Sequence, residues 1–152
     1  MPPAEKPEGR PSPPFSPTIA VLTVARGVDL AFGRELEAHG LTIRKYGVLG
    51  HIAATPGLSM SDLGRRSGIT VQSVHTLIRS LADAGYVESE VLGSGLAAQV
   101  TVTSAGNAVL KRVAASLAEL DARLFSSEEM AALSDALAMV MTARLRETQN
   151  LQ

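Results

Sequence analysis

Apolar side chains return at three- and four-residue steps over most of this chain, the spacing of helices that each bury one face. From Ser16-Pro17-Thr18 the first such stripe takes in Ile19, Leu22, Ala25, Phe32 and Leu36, and it stops near His39-Gly40, where glycine supplies a left-handed end. Thr42 can cap a second, shorter helix carrying Ile43, Tyr46, Leu49, Ile52 and Ala53 on one face and closed by Pro56-Gly57. A third helix starts at Ser59 or Ser61 and a fourth at Thr70, with Gly68-Ile69 between them. Two short helices around a tight glycine turn form a helix-turn-helix pattern. The runs YVESEVL and AAQVTV are β-prone and joined across GSG, which predicts a hairpin. After Thr103-Ser104 the chain turns helical again. Val109, Val113, Leu117, Leu120 and Leu124 make one stripe; beyond Ser126-Ser127, which with Glu129 can cap a new helix, Met130, Leu133, Leu137, Val140 and Met141 make another. Both stripes are longer than a small lobe can bury by itself, so with the first helix they predict a bundle shared between two chains.

Composition sharpens this picture. A length of 152 residues fits one domain, and 45% hydrophobic against 19% charged residues implies apolar surface buried against another chain. Aromatics are only 3% and Trp is absent, so Ala, Leu and Val must fill a mainly helical core. The formal charge of −1 means that any nucleic-acid binding has to be local. Without Cys there is no disulfide framework, thiolate zinc site or sulfur redox sensor. Apolar runs such as IAVLTVA fall well short of the roughly 20 residues that cross a bilayer, and the N-terminus lacks a signal pattern, which predicts a cytoplasmic protein with no membrane partner. The opening MPPAEKPEGRPSPPFSP holds seven of the eight prolines and reads as an extended lead over residues 1–16.

Three segments carry a family resemblance. LTIRKYGVLGHI resembles the second helix of the MarR family (multiple antibiotic resistance regulators), PGLSMSDLGRRSGITVQSVHTLIRSLADAGYVE its helix-turn-helix and first wing strand, and VTSAGNAVL the turn into its fifth helix. The resemblance spans about residues 18–146. It implies a mainly α fold: a single domain over 17–146, with a winged helix-turn-helix at about 42–103, a small β-hairpin wing, dimerisation helices at about 18–39 and 104–146, and a tail over 147–152. It further implies a cytoplasmic homodimeric transcription regulator whose partners are double-stranded DNA and a small aromatic or anionic effector, with no cofactor.

Within the fourth helix Val74, Leu77, Ile78 and Leu81 must face the core, leaving Gln72, Ser73, His75, Thr76, Arg79 and Ser80 outside. Gln can bond an adenine edge twice, Arg can fork onto guanine, and Ser or Thr can serve phosphates or bases. The candidate DNA-binding set is therefore Arg65, Arg66, Thr70, Gln72, Ser73, His75, Thr76 and Arg79. Effector candidates, suggested by the position of the family's cleft, are Arg26, Arg34, Tyr46, His51 and Arg112. His39, His51 and His75 are the only histidines and lack carboxylates at ligand spacing, so no metal is assigned. No Ser-His-Asp order, paired carboxylate, phosphate loop or cofactor fingerprint is visible, and no catalytic residue is assigned.

The wing departs from the family. Its members usually carry Asp and Arg at the hairpin tip, and often an Arg on the first strand; Ser94, Gly95, Leu96 and Ser89 stand there instead. No Lys or Arg occurs between Arg79 and Lys111, and residues 59–102 hold three arginines against four carboxylates. Each lost phosphate contact flattens the salt dependence of DNA binding. An alternative function follows from this: a MarR-fold homodimer that has given up DNA and serves as a small-molecule binder or enzyme.

Overall fold

The computed structural model describes residues 14–90 and 99–150. Helices α1 (Pro17–Glu37), α2 (Ile43–Ala54), α3 (Met60–Ser67) and α4 (Val71–Asp83) precede strands β1 (Val87–Glu90) and β2 (Gln99–Val102), and α5 (Ser104–Leu124) and α6 (Glu128–Asn150) follow. The helix starts obey one local rule: a short polar side chain in extended backbone accepts the amide three residues on. Ser16, Thr42, Ser59, Thr70 and Thr103 cap α1 to α5 in this way. At α6 the Ser127 hydroxyl accepts from the Met130 amide.

The core is aliphatic. Leu36 and Leu41 from the α1–α2 corner meet Val48, Leu49 and Ile52 of α2, Leu63 of α3, and Val74, Ile78 and Leu81 of α4; Val87, Val100, Val109 and Val113 close the cluster from the hairpin and α5. Full burial of each such side chain is worth roughly 1.5–3 kcal/mol, which fixes the tilt of α4 on the lobe. Phe32 meets Tyr46 edge-on, with ring centroids 5.5 Å apart, and ties α1 to α2.

Strands β1 and β2 pair antiparallel from Val87 opposite Val102 to Glu90 opposite Gln99. The paired segments are shorter than the two β-prone runs, and residues 91–98, including the tip positions Ser94, Gly95 and Leu96, lie outside the described residues, as does most of the Pro-rich lead. At the base of the hairpin Thr103 donates its hydroxyl to the Gly85 carbonyl at 2.7 Å and its amide to the Tyr86 carbonyl at 3.1 Å. Gly106 sits so close to Tyr86 that a Cβ would lie 2.2 Å from its carbonyl oxygen.

Outside the core the apolar stripes diverge. On α5, Val109, Val113 and Leu120 are buried, as the spacing predicts. On α6, Leu137, Val140 and Met141 are exposed to solvent, together with Ile19, Val21 and Leu22 on α1. Between α1, α5 and α6 lies a groove of about 500 Å³ whose walls include Val24, Phe32, Leu117, Leu133 and Leu137. Helix α6 runs unbroken past residue 146, so the segment read as a tail is helical as far as Asn150.

Candidate nucleic-acid interface

The turn between α3 and α4 is built from two glycines. Gly68 closes α3 in the left-handed region at φ 65°, and the Ile69 amide donates to the Gly64 carbonyl at 3.0 Å. A Cβ on Gly64 would lie 2.9 Å from the Ile69 carbonyl oxygen, so only glycine lets the turn fold back this closely. Two residues after Gly68, Thr70 opens α4 with its hydroxyl accepting from the Ser73 amide at 3.2 Å.

Burial along α4 follows the helical period. Val74, Ile78 and Leu81 are buried and Leu77 packs half-buried against them, whereas Gln72, His75, Thr76 and Arg79 are exposed along the opposite side. Ser73 and Ser80 are half-buried. The hydroxyls are partly committed: Thr70 and Ser73 share a hydrogen bond of 2.9 Å, and Thr76 donates to the Gln72 carbonyl at 3.2 Å. Gln72, His75 and Arg79 therefore offer the side chains best placed to reach a ligand.

Arg65 and Arg66 diverge although they are adjacent. The Arg65 guanidinium holds Asp62 at 2.7 Å, and the Ser59 hydroxyl donates to the same carboxylate at 2.7 Å. That hydroxyl first, and the Arg65 charge after it, hold the Asp62 carboxyl below the usual carboxylate range. Arg66 instead donates to the Thr55 hydroxyl at the end of α2, at 3.2 Å. On the hairpin, Glu88 and Ser89 are exposed, so the lobe presents carboxylates beside its arginines.

The effector candidates do not share one cavity within the chain. Tyr46 is engaged with Phe32. Arg26, Arg34 and Arg112 are exposed and line neither the α1/α5/α6 groove nor the cleft between α2 and α3. His51 does line that second cleft, of about 260 Å³, with Ile43, Arg44, Gly47, Ser67 and Ile69. Arg44 and Ser67 carry no sequence motif that marks them as part of it. The spacing of Ile43, Gly47 and His51 at four-residue steps marks one side of this cleft in the sequence; the other side depends on how α3 packs. His39, the remaining histidine, bonds Ser116 of α5 through Nε2 at 2.9 Å.

Comparisons with known proteins agree with this architecture. The HTH-type transcriptional repressor Rv2887 of Mycobacterium tuberculosis is 35% identical over 88 residues, 57% of this chain. The alignment spans 63% of that relative's length, less than two thirds of it. The structure of Rv2887 in complex with DNA superposes with a TM-score of 0.69 at 25% identity, covering 83% of this chain and 98% of that one. Its complex with p-aminosalicylic acid gives 0.67 at 24% identity, over 84% and 99%. MepR, a transcription regulator of the Staphylococcus aureus multidrug efflux pump MepA, shares the fold with a TM-score of 0.70 at 20% identity, over 86% and 99%. Residues 39–93, which hold α2, the helix-turn-helix and β1, match the MarR family model, and the winged helical fold around them is similar to that of MepR.

Proposed function

We propose that the protein is a cytoplasmic, homodimeric, ligand-responsive DNA-binding transcription regulator, a single domain over about residues 17–146. The observation that carries this reading is the outward face of α4. Gln72, His75, Thr76 and Arg79 are exposed on a helix whose other side is anchored in the core, with no described residue covering them. Such a helix fits a major groove, and Gln and Arg have the donor geometry to read adenine and guanine edges there. Arg66 and the Thr70–Ser73 hydroxyl pair flank it as phosphate contacts, with Arg65 available once Asp62 lets go. The relative Rv2887, crystallised with DNA and with p-aminosalicylic acid, supports both halves of the reading.

Dimerisation supplies the second α4. The exposed apolar stripes of α1 and α6 and the groove beside them form a face that one chain alone leaves in water. An effector acts by binding more tightly to a dimer whose two α4 helices are no longer about 34 Å apart, one turn of duplex. No described helix is long and apolar enough to cross a membrane.

The test is fluorescence anisotropy on a random-sequence duplex at low salt, with the parent and Arg79→Ala. The regulator shows salt-sensitive retention that weakens in the variant. The carboxylates beside the arginines favour a second reading, a family member that binds small molecules and not DNA. Absence of any retention by the folded dimer at low salt selects that reading.

A further inference from the structure

Positive charge is scarce around α4, and one side chain on its outward face can change the supply. Residues 59–102 hold three arginines against four carboxylates, a deficit of one, and no Lys or Arg follows Arg79 before Lys111. Arg65 is held by Asp62 and Arg66 bonds the Thr55 hydroxyl, so Arg79 is the one arginine of the segment without a hydrogen-bond or ion-pair partner among the described residues. His75 is the single histidine of the segment and is exposed. With a rise of about 1.5 Å and a turn of about 100° per residue, it stands about 4.5 Å beyond Gln72 and about 6 Å before Arg79, all three within an arc of about 60°. Bases stack about 3.4 Å apart, so these side chains span about three base pairs.

No described side chain bonds or pairs with His75. Along α4 its charged neighbours are Arg79, one turn on, and Asp83, two turns on. The elements packed against α4 carry Arg44, Lys45, Tyr46 and His51 on α2, Asp62, Arg65 and Arg66 on α3, and Glu88 and Glu90 on β1. Those elements share the core with the opposite side of α4, at Val74, Ile78 and Leu81. An imidazole offers one donor and one acceptor when neutral and two donors when protonated, and it passes between these forms over roughly pH 5 to 8. Guanine edges and phosphate oxygens are acceptors and call for the protonated form.

We propose that His75 engages duplex DNA as an imidazolium, donating to a guanine edge or a phosphate oxygen, so that each protomer takes up a proton on binding and DNA affinity rises as pH falls. A proton on His75 brings the segment from its deficit of one charge to neutrality, in both protomers of a dimer. A base that holds its proton more tightly in the complex than in the free protein favours the complex fully below its free pKa, and the gain is lost as pH rises through the bound value. Each unit of difference is worth about tenfold per protomer. This rests on the DNA-binding reading and gives that same face a regulatory input, the acidity of the medium.

The test is fluorescence anisotropy on G·C and A·T duplexes at about pH 6 and about pH 8, either side of the ordinary imidazole value, at constant low ionic strength. The parent is compared with His75→Gln and His75→Arg, and circular dichroism checks the fold of each at both pH values. The parent is expected to bind at least about tenfold more tightly at the lower pH, His75→Gln to lose most of that difference, and His75→Arg to bind at the higher pH as the parent does at the lower. Calorimetry in two buffers of different ionisation enthalpy should find up to about one proton taken up per protomer, an uptake that disappears in His75→Gln. A pH dependence larger on G·C assigns the contact to guanine, and an equal one on both duplexes assigns it to phosphate. Retention that ignores pH, or a pH dependence that survives in His75→Gln, overturns this inference and leaves the DNA-binding reading standing. Absence of retention at either pH overturns both.

Discussion

Arg65 Nη2 lies 2.7 Å from Asp62 Oδ1, one turn earlier on α3, so one of the two arginines before α4 is neutralised inside its own helix. Both partners are substantially exposed, and an exposed pair of this kind adds little to stability. Its weight falls on binding, because a guanidinium already on a carboxylate has to exchange it for a phosphate.

Asp62→Asn is therefore expected to strengthen binding to a random duplex at low salt. The change removes a negative charge beside the DNA face and frees Arg65, adding one phosphate contact per protomer and steepening the salt slope by about 1 for each. Anisotropy titrations between low and moderate salt measure it. An unchanged slope would place Arg65 away from the phosphates.

The same carboxylate sets an acid limit. Ser59 first and Arg65 second hold Asp62 low, and the backbone amide of Glu129 with the Ser127 hydroxyl holds Glu129 low. A carboxylate whose folded pKa is depressed stabilises the fold fully above its unfolded value, about 4, and that contribution disappears as pH falls through the lower folded value. Carboxyl-detected NMR titration should find both groups titrating below ordinary Asp and Glu. In Ser59→Ala the Asp62 midpoint should move up while that of Glu129 stays where it is.

Gly106 supplies a packing test. Adding a Cβ there places it 2.2 Å from the Tyr86 carbonyl oxygen and 2.7 Å from Val102, both parts of the hairpin base. Gly106→Ala should cost about 3 kcal/mol by urea denaturation, the upper end for an overpacked site. Gly50→Ala is the control: it lies within α2 with nothing inside 4 Å of the added carbon, so it should stabilise by about 0.5–1 kcal/mol. Equal effects at the two positions would mean that α5 can shift away from the hairpin at little cost.

These positions also show what the chain reveals before it folds. The starts of α2, α3, α4 and α5 were legible because each is local: Thr42, Ser59, Thr70 and Thr103 need only an amide three residues on. The outward set on α4 was legible because burial of Val74, Ile78 and Leu81 fixes the helix phase, which exposes Gln72, His75 and Arg79 without reference to anything distant. The division of labour between Arg65 and Arg66 was not, since Arg66 meets Thr55 eleven residues away only after α3 folds onto α2. Nor was the cleft at Ser67, because the hydroxyl's isolation arises from packing between two helices. The effector set suggested from the family's cleft scatters for a related reason: Arg26 and Arg34 lie on α1 and Arg112 on α5, all on exposed faces, and helical spacing alone does not show which faces meet.

The apolar faces of α1 and α6 give the last prediction. Val21 and Leu137 both line the groove between α1, α5 and α6, yet are 64% and 48% exposed, and neither belongs to the core cluster of the winged lobe. If a second copy fills this face, each of these side chains contributes up to roughly 1.5–3 kcal/mol to association and almost nothing to the fold of the lobe. Val21→Glu combined with Leu137→Glu puts charges into that surface and is expected to give a monomer by analytical ultracentrifugation, with helical circular dichroism retained. Retention on duplex should fall with it, because a single α4 reaches only one half-site. A double variant that stays dimeric would move the interface elsewhere on the chain, while one that unfolds outright would mean that the groove is core for the single chain and not a contact between two.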